Sequence, residues 1–310
     1  MNINSQLETA FSRLAHAIGT DGIFLKGTLA IIVVSIICGF VGSLVVGNRM
    51  AFFSDALAHC AFAGVALGVI TTLILGPAGE EGDALGWVLP PVMVAFGGLV
   101  GFAITYVREK TGLASDTVIG VFFSGAIGFG AILFGVLKLF TNRDADMYLF
   151  GSPNFIRAVN LVVLFGVALL TAGFMFLRFN DLLFASFNPS LARSRRIPLR
   201  LYNYVFVVLL ALIVNLCLQA VGILLINAVL IVPAATASNI SRNMRQLFWL
   251  TMGLTLAAGI GGQLISNEVS IHVRGKEIPL GAGGCIVVLS VLAFAISMFL
   301  SPFVRGRQTR

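Results

Sequence analysis

The sequence predicts an all-α, polytopic transmembrane helical bundle of eight or nine spans. Of its 310 residues, 58% are hydrophobic, and only 20 are basic and 13 acidic, or 11%, less than half the usual quarter of charged residues. Mean hydropathy is +1.00. Apolar runs of about 20 residues, enough to cross a ~30 Å hydrocarbon core, recur along the whole chain. A water-soluble enzyme of this size would expose far more charge. The net charge of +7 is too dilute to form a nucleic-acid groove. The runs are also too long for barrel strands.

The predicted spans, in order, are 27–47, 50–75, 87–107, 116–137, 159–177, 203–221, 222–238, 247–266 and 280–302. If one run is re-entrant, eight remain. Residues 1–23 carry Glu8, Arg13, His16 and Asp21, which argues against a secretory signal. Leu7, Phe11, Leu14, Ala15 and Ile18 give this segment an apolar stripe suited to the membrane interface. The transmembrane body is 24–302, with a large loop at 178–202 and a basic tail at 303–310. Cys38, Cys60, Cys217 and Cys285 each sit inside an apolar run and read as packing residues.

Orientation follows from the basic residues. One set of alternate loops holds 13 basic residues and three acids, and the other holds seven basic residues and nine acids. The first set is predicted cytoplasmic, with the C-terminus inside. Nine spans then put the N-terminus outside. One acid, Asp55, belongs to neither set. It lies within a span, where an ionised carboxylate costs a few kcal/mol or more and marks a functional position.

Asp55 and His59 are four residues apart, so a helix places them on one face near the bilayer midplane. A carboxylate oxygen with an imidazole nitrogen suits a borderline divalent cation such as Zn²⁺, Mn²⁺ or Fe²⁺. The plainer alternative is a buried Asp–His hydrogen bond that stiffens the bundle. Two ligands do not complete a site. Ser124 and Asn227 are candidates to help, and Pro233 and Thr236 lie in a run whose proline frees a carbonyl and bends the helix. Glycines at 97, 98 and 101, and at 120, 125, 128 and 130, predict close helix packing, with a hinge as the alternative.

In the 178–202 loop, Asn188 is a fair helix N-cap with Pro189 at the first helical position, ahead of Arg193, Arg195 and Arg196. Such a helix can dock a cytoplasmic partner; a basic loop that fixes topology is the alternative. Asp144 and Asp146 stand in an outer loop and are candidates for docking a protein or attracting cations. Glu268, His272 and Glu277 share that reading. No GxxxxGK[ST] phosphate loop is present, so ATP hydrolysis by that route belongs elsewhere.

At four stretches the chain resembles the permease subunit of metal-ion-uptake ABC transporters, the zinc/manganese/iron class. They are Arg49-Met50 through Ser54-Asp55-Ala56-Leu57-Ala58-His59; Leu149-Phe150-Gly151-Ser152; Phe187-Asn188-Pro189-Ser190-Leu191-Ala192; and Leu230-Ile231-Val232-Pro233-Ala234-Ala235-Thr236-Ala237. Pro279-Leu280-Gly281-Ala282 fits too, and the likeness covers 24–302. It implies an ABC importer permease fold, and a transport subunit rather than an enzyme. It further implies a dimer with a second permease copy, two cytoplasmic ATPase subunits and an extracytoplasmic metal-binding protein, all at the inner membrane of a bacterium. Asp55 and His59 match the family's intramembrane cation positions. Phe187, Asn188, Pro189, Leu191, Ala192, Arg195 and Arg196 match the ATPase-contacting element. No permanently bound cofactor is implied; the metal is the substrate. Two positions depart from the family: Asn188 stands where Asp is usual, and Arg196 where Gly is usual. These departures raise a pairing of two non-identical permeases. The rival functions are an ATPase-independent secondary carrier with Asp55 as an ion relay, an intramembrane metalloenzyme and a non-transporting scaffold.

Overall fold

The computed structural model describes residues 3–48, 50–75, 81–138, 156, 158–187, 198–273 and 276–305. Among them the helices are α1 (Ile3–Ile18), α2 (Gly22–Gly47), α3 (Ala51–Leu75), α4 (Glu81–Thr111), α5 (Ser115–Leu137), α6 (Ala158–Phe187), α7 (Leu199–Val221), α8 (Ile223–Ile240), α9 (Met244–Glu268) and α10 (Ala282–Arg305). Among the described residues, nine of these (α2 to α10) are long and apolar enough to cross a membrane. They correspond one to one with the nine runs read from the sequence. Between α9 and α10 the chain forms a hairpin of β1 (Ser270–Val273) and β2 (Lys276–Pro279), paired antiparallel with Ser270 opposite Pro279.

The chain divides into two compact units: residues 1–47, 150–177 and 220–310, and residues 48–149 and 178–219. In the first, α8 packs against α2, α9 and α10, and α9 packs against α2 and α10. Small residues make these approaches possible. A Cβ at Gly262 of α9 would lie 2.6 Å from the Ile286 Cα on α10, and one at Gly42 of α2 would strike the Leu230 carbonyl of α8. α1 is held to this unit by Glu8. Its Oε2 accepts from Lys26 Nζ at 2.6 Å, and its Oε1 accepts from the Ala158 backbone N–H at 3.2 Å, at the start of α6. That N–H has no partner within its own helix, so the carboxylate satisfies an orphan donor at the positive end of α6.

In the second unit α3 lies between α4 and α5. Gly64 and Gly68 of α3 meet Met93 and Leu89 of α4, four residues apart on each helix. Gly97 and Gly101 of α4 meet Asn215 and Val207 of α7. Close packing therefore accounts for two of the three glycines in that cluster. Gly98 faces open space within the unit. On α5 only Gly130 is in tight contact, with Phe62 and Ala63; Gly120, Gly125 and Gly128 lie on its open face.

Several hydroxyls inside the helices are turned back onto their own backbones. Thr72, Thr105, Thr251 and Ser290 each donate to the carbonyl four residues earlier, at 2.8 to 2.9 Å. In a medium without water this removes the penalty of an unmet polar group.

Two boundaries differ from the hydropathy reading. α6 continues through Arg178 to Phe187, residues assigned from the sequence to the cytoplasmic loop. Polar Asn180 and Asp181 end the apolar run but not the helix, since hydropathy marks the membrane edge rather than the last helical turn. α4 begins before its span and carries Pro90 and Pro91. They leave the Gly86 and Trp87 carbonyls without their usual N–H partners.

α7 and α8 are separated by one residue, Gly222, at φ 85°. That backbone is left-handed, and a Cβ there would be strained by about 1–3 kcal/mol. The two closely joined apolar runs are thus two helices.

Candidate functional site

Asp55 and His59 both lie in the first half of α3. The span Ala51–Ile74 places Asp55 one helical turn and His59 two turns from its first residue, about 6 and about 12 Å along the axis. His59 is thus the nearer of the two to the middle of the span. The turn leading into Asp55 is well formed: Ser54 donates its backbone N–H to the Met50 carbonyl at 3.1 Å and its hydroxyl to the Ala51 carbonyl at 2.8 Å. Ala56, Leu57 and Ala58 supply strong helix propensity and are fully buried.

His59 Nε2 is 3.7 Å from Asp55 Oδ1, and the two side chains are 28% and 31% exposed. That separation is too long for a hydrogen bond between them. The stiffening Asp–His hydrogen bond considered from the sequence is therefore not formed. What remains is an oxygen and a nitrogen side by side on an accessible face of an otherwise apolar helix. Phe123 of α5 stands over the imidazole, ring centroids 5.0 Å apart at 78°, and its ring is 6.3 Å from that of Phe52. This edge-to-face contact limits the ring's rotation. Nothing in the sequence pairs Phe123 with His59, because the contact is made between helices.

Among the described residues no group of three or more His, Cys, Asp and Glu side chains gathers to hold a metal. The pair places one carboxylate oxygen and one imidazole nitrogen 3.7 Å apart on one helix face. Ser124 lies on the exposed face of α5 in the same unit. Asn227, Pro233 and Thr236 belong to α8 of the other unit. Pro233 is buried inside that helix. The Thr236 hydroxyl, 1% exposed as a residue, donates to the Val232 carbonyl at 2.8 Å. Its proton is thus committed to its own helix. Of the predicted coupling residues, Phe187 ends α6, and Asn188, Pro189, Leu191, Ala192, Arg195 and Arg196 fall outside the described residues. Asp144 and Asp146 also fall outside them.

A bundle of apolar spans with a carboxylate–imidazole pair inside one of them defines a class, the polytopic helical membrane proteins. Residues 20–301 match the ABC 3 transport family, and the chain belongs to that family. It is 33% identical over 280 residues to the manganese import system permease protein ScaB of Streptococcus parasanguinis, covering 90% of this chain and 91% of that protein. It is 28% identical over 275 residues to the chelated iron transport system membrane protein YfeD of Yersinia pestis, covering 88% and 84%. Among solved structures, PsaBC from Streptococcus pneumoniae in complex with Fab aligns at a TM-score of 0.75 and 28% identity, over 95% of this chain and 97% of that one. The chain is a multi-pass bacterial membrane protein and a transport subunit, not an enzyme.

Proposed function

We propose that this chain is the permease of an ATP-driven importer for a divalent transition-metal cation, manganese first, with iron and zinc as the further candidates. The observation that carries this reading is the Asp55–His59 pair, half-exposed on one face of an apolar helix. The named functions of the manganese and iron relatives support it. An oxygen and a nitrogen ligand suit Mn²⁺, Fe²⁺ and Zn²⁺, whereas Cu(I) favours sulfur and Mg²⁺ an all-oxygen shell.

In this account an extracytoplasmic binding protein delivers the cation to the outer loops, where Asp144 and Asp146 lie. Asp55 and His59 replace part of its water shell inside the membrane. The excess of basic residues in one set of loops puts the C-terminus inside, and nine crossings then put the N-terminus outside. Two ATPase subunits engage the cytoplasmic segment from Phe187 to Arg196 and drive alternating access. A second permease copy completes the pathway, and the open small-residue face of α5 at Gly120, Ser124 and Gly128 supports such a neighbour. Asn188 and Arg196 set this chain's ATPase contact apart from the usual pattern and keep a pair of two non-identical permeases in view.

The test is Mn²⁺ accumulation in proteoliposomes holding the permease with its ATPase subunits and supplied with the metal-loaded binding protein. Accumulation is expected only with ATP and an intact ATPase. Uptake that survives an inactive ATPase would instead mark a secondary carrier.

A further inference from the structure

The unit that contains Asp55 and His59 also contains both flanks of the 188–197 segment, the end of α6 from Arg178 and the start of α7. Two tyrosines in the first turns of α7 tie these parts together. The Tyr202 hydroxyl donates to Asp181 Oδ2 on α6 at 2.8 Å and accepts from Arg178 Nη1 at 3.3 Å. The Tyr204 hydroxyl donates to Glu109 Oε2 on α4 at 3.2 Å, and its ring lies 5.2 Å from that of Phe102 on the same helix. Phe102 and Glu109 are seven residues apart, two turns along one face of α4, so Tyr204 grips that helix at two levels.

Residues two apart on a helix point about 200° apart. The two tyrosines therefore reach to opposite sides, one arm to α6 and the other to α4. From α4 the packing continues to the ligand pair. A Cβ at Gly101 would lie 3.4 Å from Leu57 Cδ2 and 3.9 Å from Phe53 Cζ. Leu57 lies between Asp55 and His59 in the chain, and Phe53 two residues before Asp55.

Stability is a poor explanation for these contacts. The Arg178 side chain is 57% exposed and Asp181 34%, and exposed ion pairs contribute little. Tyrosines at a membrane boundary commonly anchor in the lipid headgroup layer. Here, however, both hydroxyls turn to carboxylates of neighbouring helices.

The geometry points to Tyr202 and Tyr204 as positioning residues that carry a displacement of the α6 and α7 ends flanking the 188–197 segment to the α3 turn bearing Asp55 and His59. The inference rests on the proposed role of that segment in contacting the ATPase. The hydroxyls set the register of α6 and α4 against α7, so a displacement of the facing ends of α6 and α7 moves α4 and α3 with it.

The experiment is the ratio of Mn²⁺ translocated to ATP hydrolysed in proteoliposomes holding the permease and its ATPase subunits, supplied with the metal-loaded binding protein. In the double variant Tyr202→Phe/Tyr204→Phe the ratio is expected to fall at least about fivefold, the low end of ordinary coupling between sites. Mn²⁺ binding to the purified transporter and its thermal midpoint should not change. Asp181→Asn and Glu109→Gln, whose oxygens still accept from tyrosine, should keep the wild-type ratio. The single variants Tyr202→Phe and Tyr204→Phe should each lower it, which serves if the double variant assembles poorly. A wild-type ratio in the phenylalanine variants, beside normal wild-type transport, overturns the brace alone. A wild-type complex with no ATP-driven Mn²⁺ uptake overturns the functional reading and the brace with it.

Discussion

His59 Nε2 lies 3.7 Å from Asp55 Oδ1 across one turn of α3. Two atoms each about 2.1 Å from one ion stand about 3.4 Å apart in tetrahedral coordination and about 3.0 Å apart at the right angles of the octahedral coordination that Mn²⁺ favours. Sharing one cation requires the two side chains to draw closer by rotamer adjustment, and we propose that they do. Removing one ligand should therefore be costly. In His59→Ala, Mn²⁺ binding measured by calorimetry on the purified transporter should weaken at least about tenfold, since even outer-shell partners of a metal are worth that much. Unchanged affinity would mean that His59 does not ligate.

Phe123 bears on the same imidazole from α5, at 5.0 Å and 78°. Such ring pairs contribute about 0.5–1.5 kcal/mol beyond area burial. Phe123→Ala releases the imidazole to rotate, so Mn²⁺ affinity should fall about two- to tenfold, with binding still measurable in the same titration. Complete loss of binding would give Phe123 a larger role than holding the ring.

The first unit depends on backbone approach between α9 and α10. Gly262 leaves room for the Ile286 backbone, with Cα and N at 2.6 and 2.7 Å from where a Cβ would stand. Backbone cannot swing aside as a long side chain can, and overpacking of this kind costs about 1–3 kcal/mol. Gly262→Ala should lower the thermal midpoint of the purified permease. Gly253→Ala on the same helix, with open space at its Cβ position, should leave the midpoint where it is.

The spans were legible because a membrane imposes length and apolarity on each crossing. Even the sixth and seventh, joined by a single residue, separate at Gly222 in both readings. The end of α6 was not legible, because Asn180 and Asp181 stop the hydropathy signal while the helix continues to Phe187. Asp55 and His59 could be read together because their relation is local, four residues on one helix. Phe123, Tyr202 and Tyr204 could not, because each acts on a partner from another helix. The aromatic signal at the edge of an apolar run was present in Tyr202 and Tyr204, but their carboxylate partners appear only once α4, α6 and α7 are assembled. The bridge from Glu8 to Lys26 and Ala158 was hidden for the same reason.

The central claim is that the transported cation passes Asp55, and the most direct measurement is ATP-dependent Mn²⁺ uptake by Asp55→Asn in proteoliposomes. The substitution keeps the size of the side chain and one oxygen but removes the charge that a divalent ion requires. Uptake should fall below about a tenth of wild type, while the permease still co-purifies with its ATPase subunits. Wild-type uptake by an assembled Asp55→Asn complex would contradict the account.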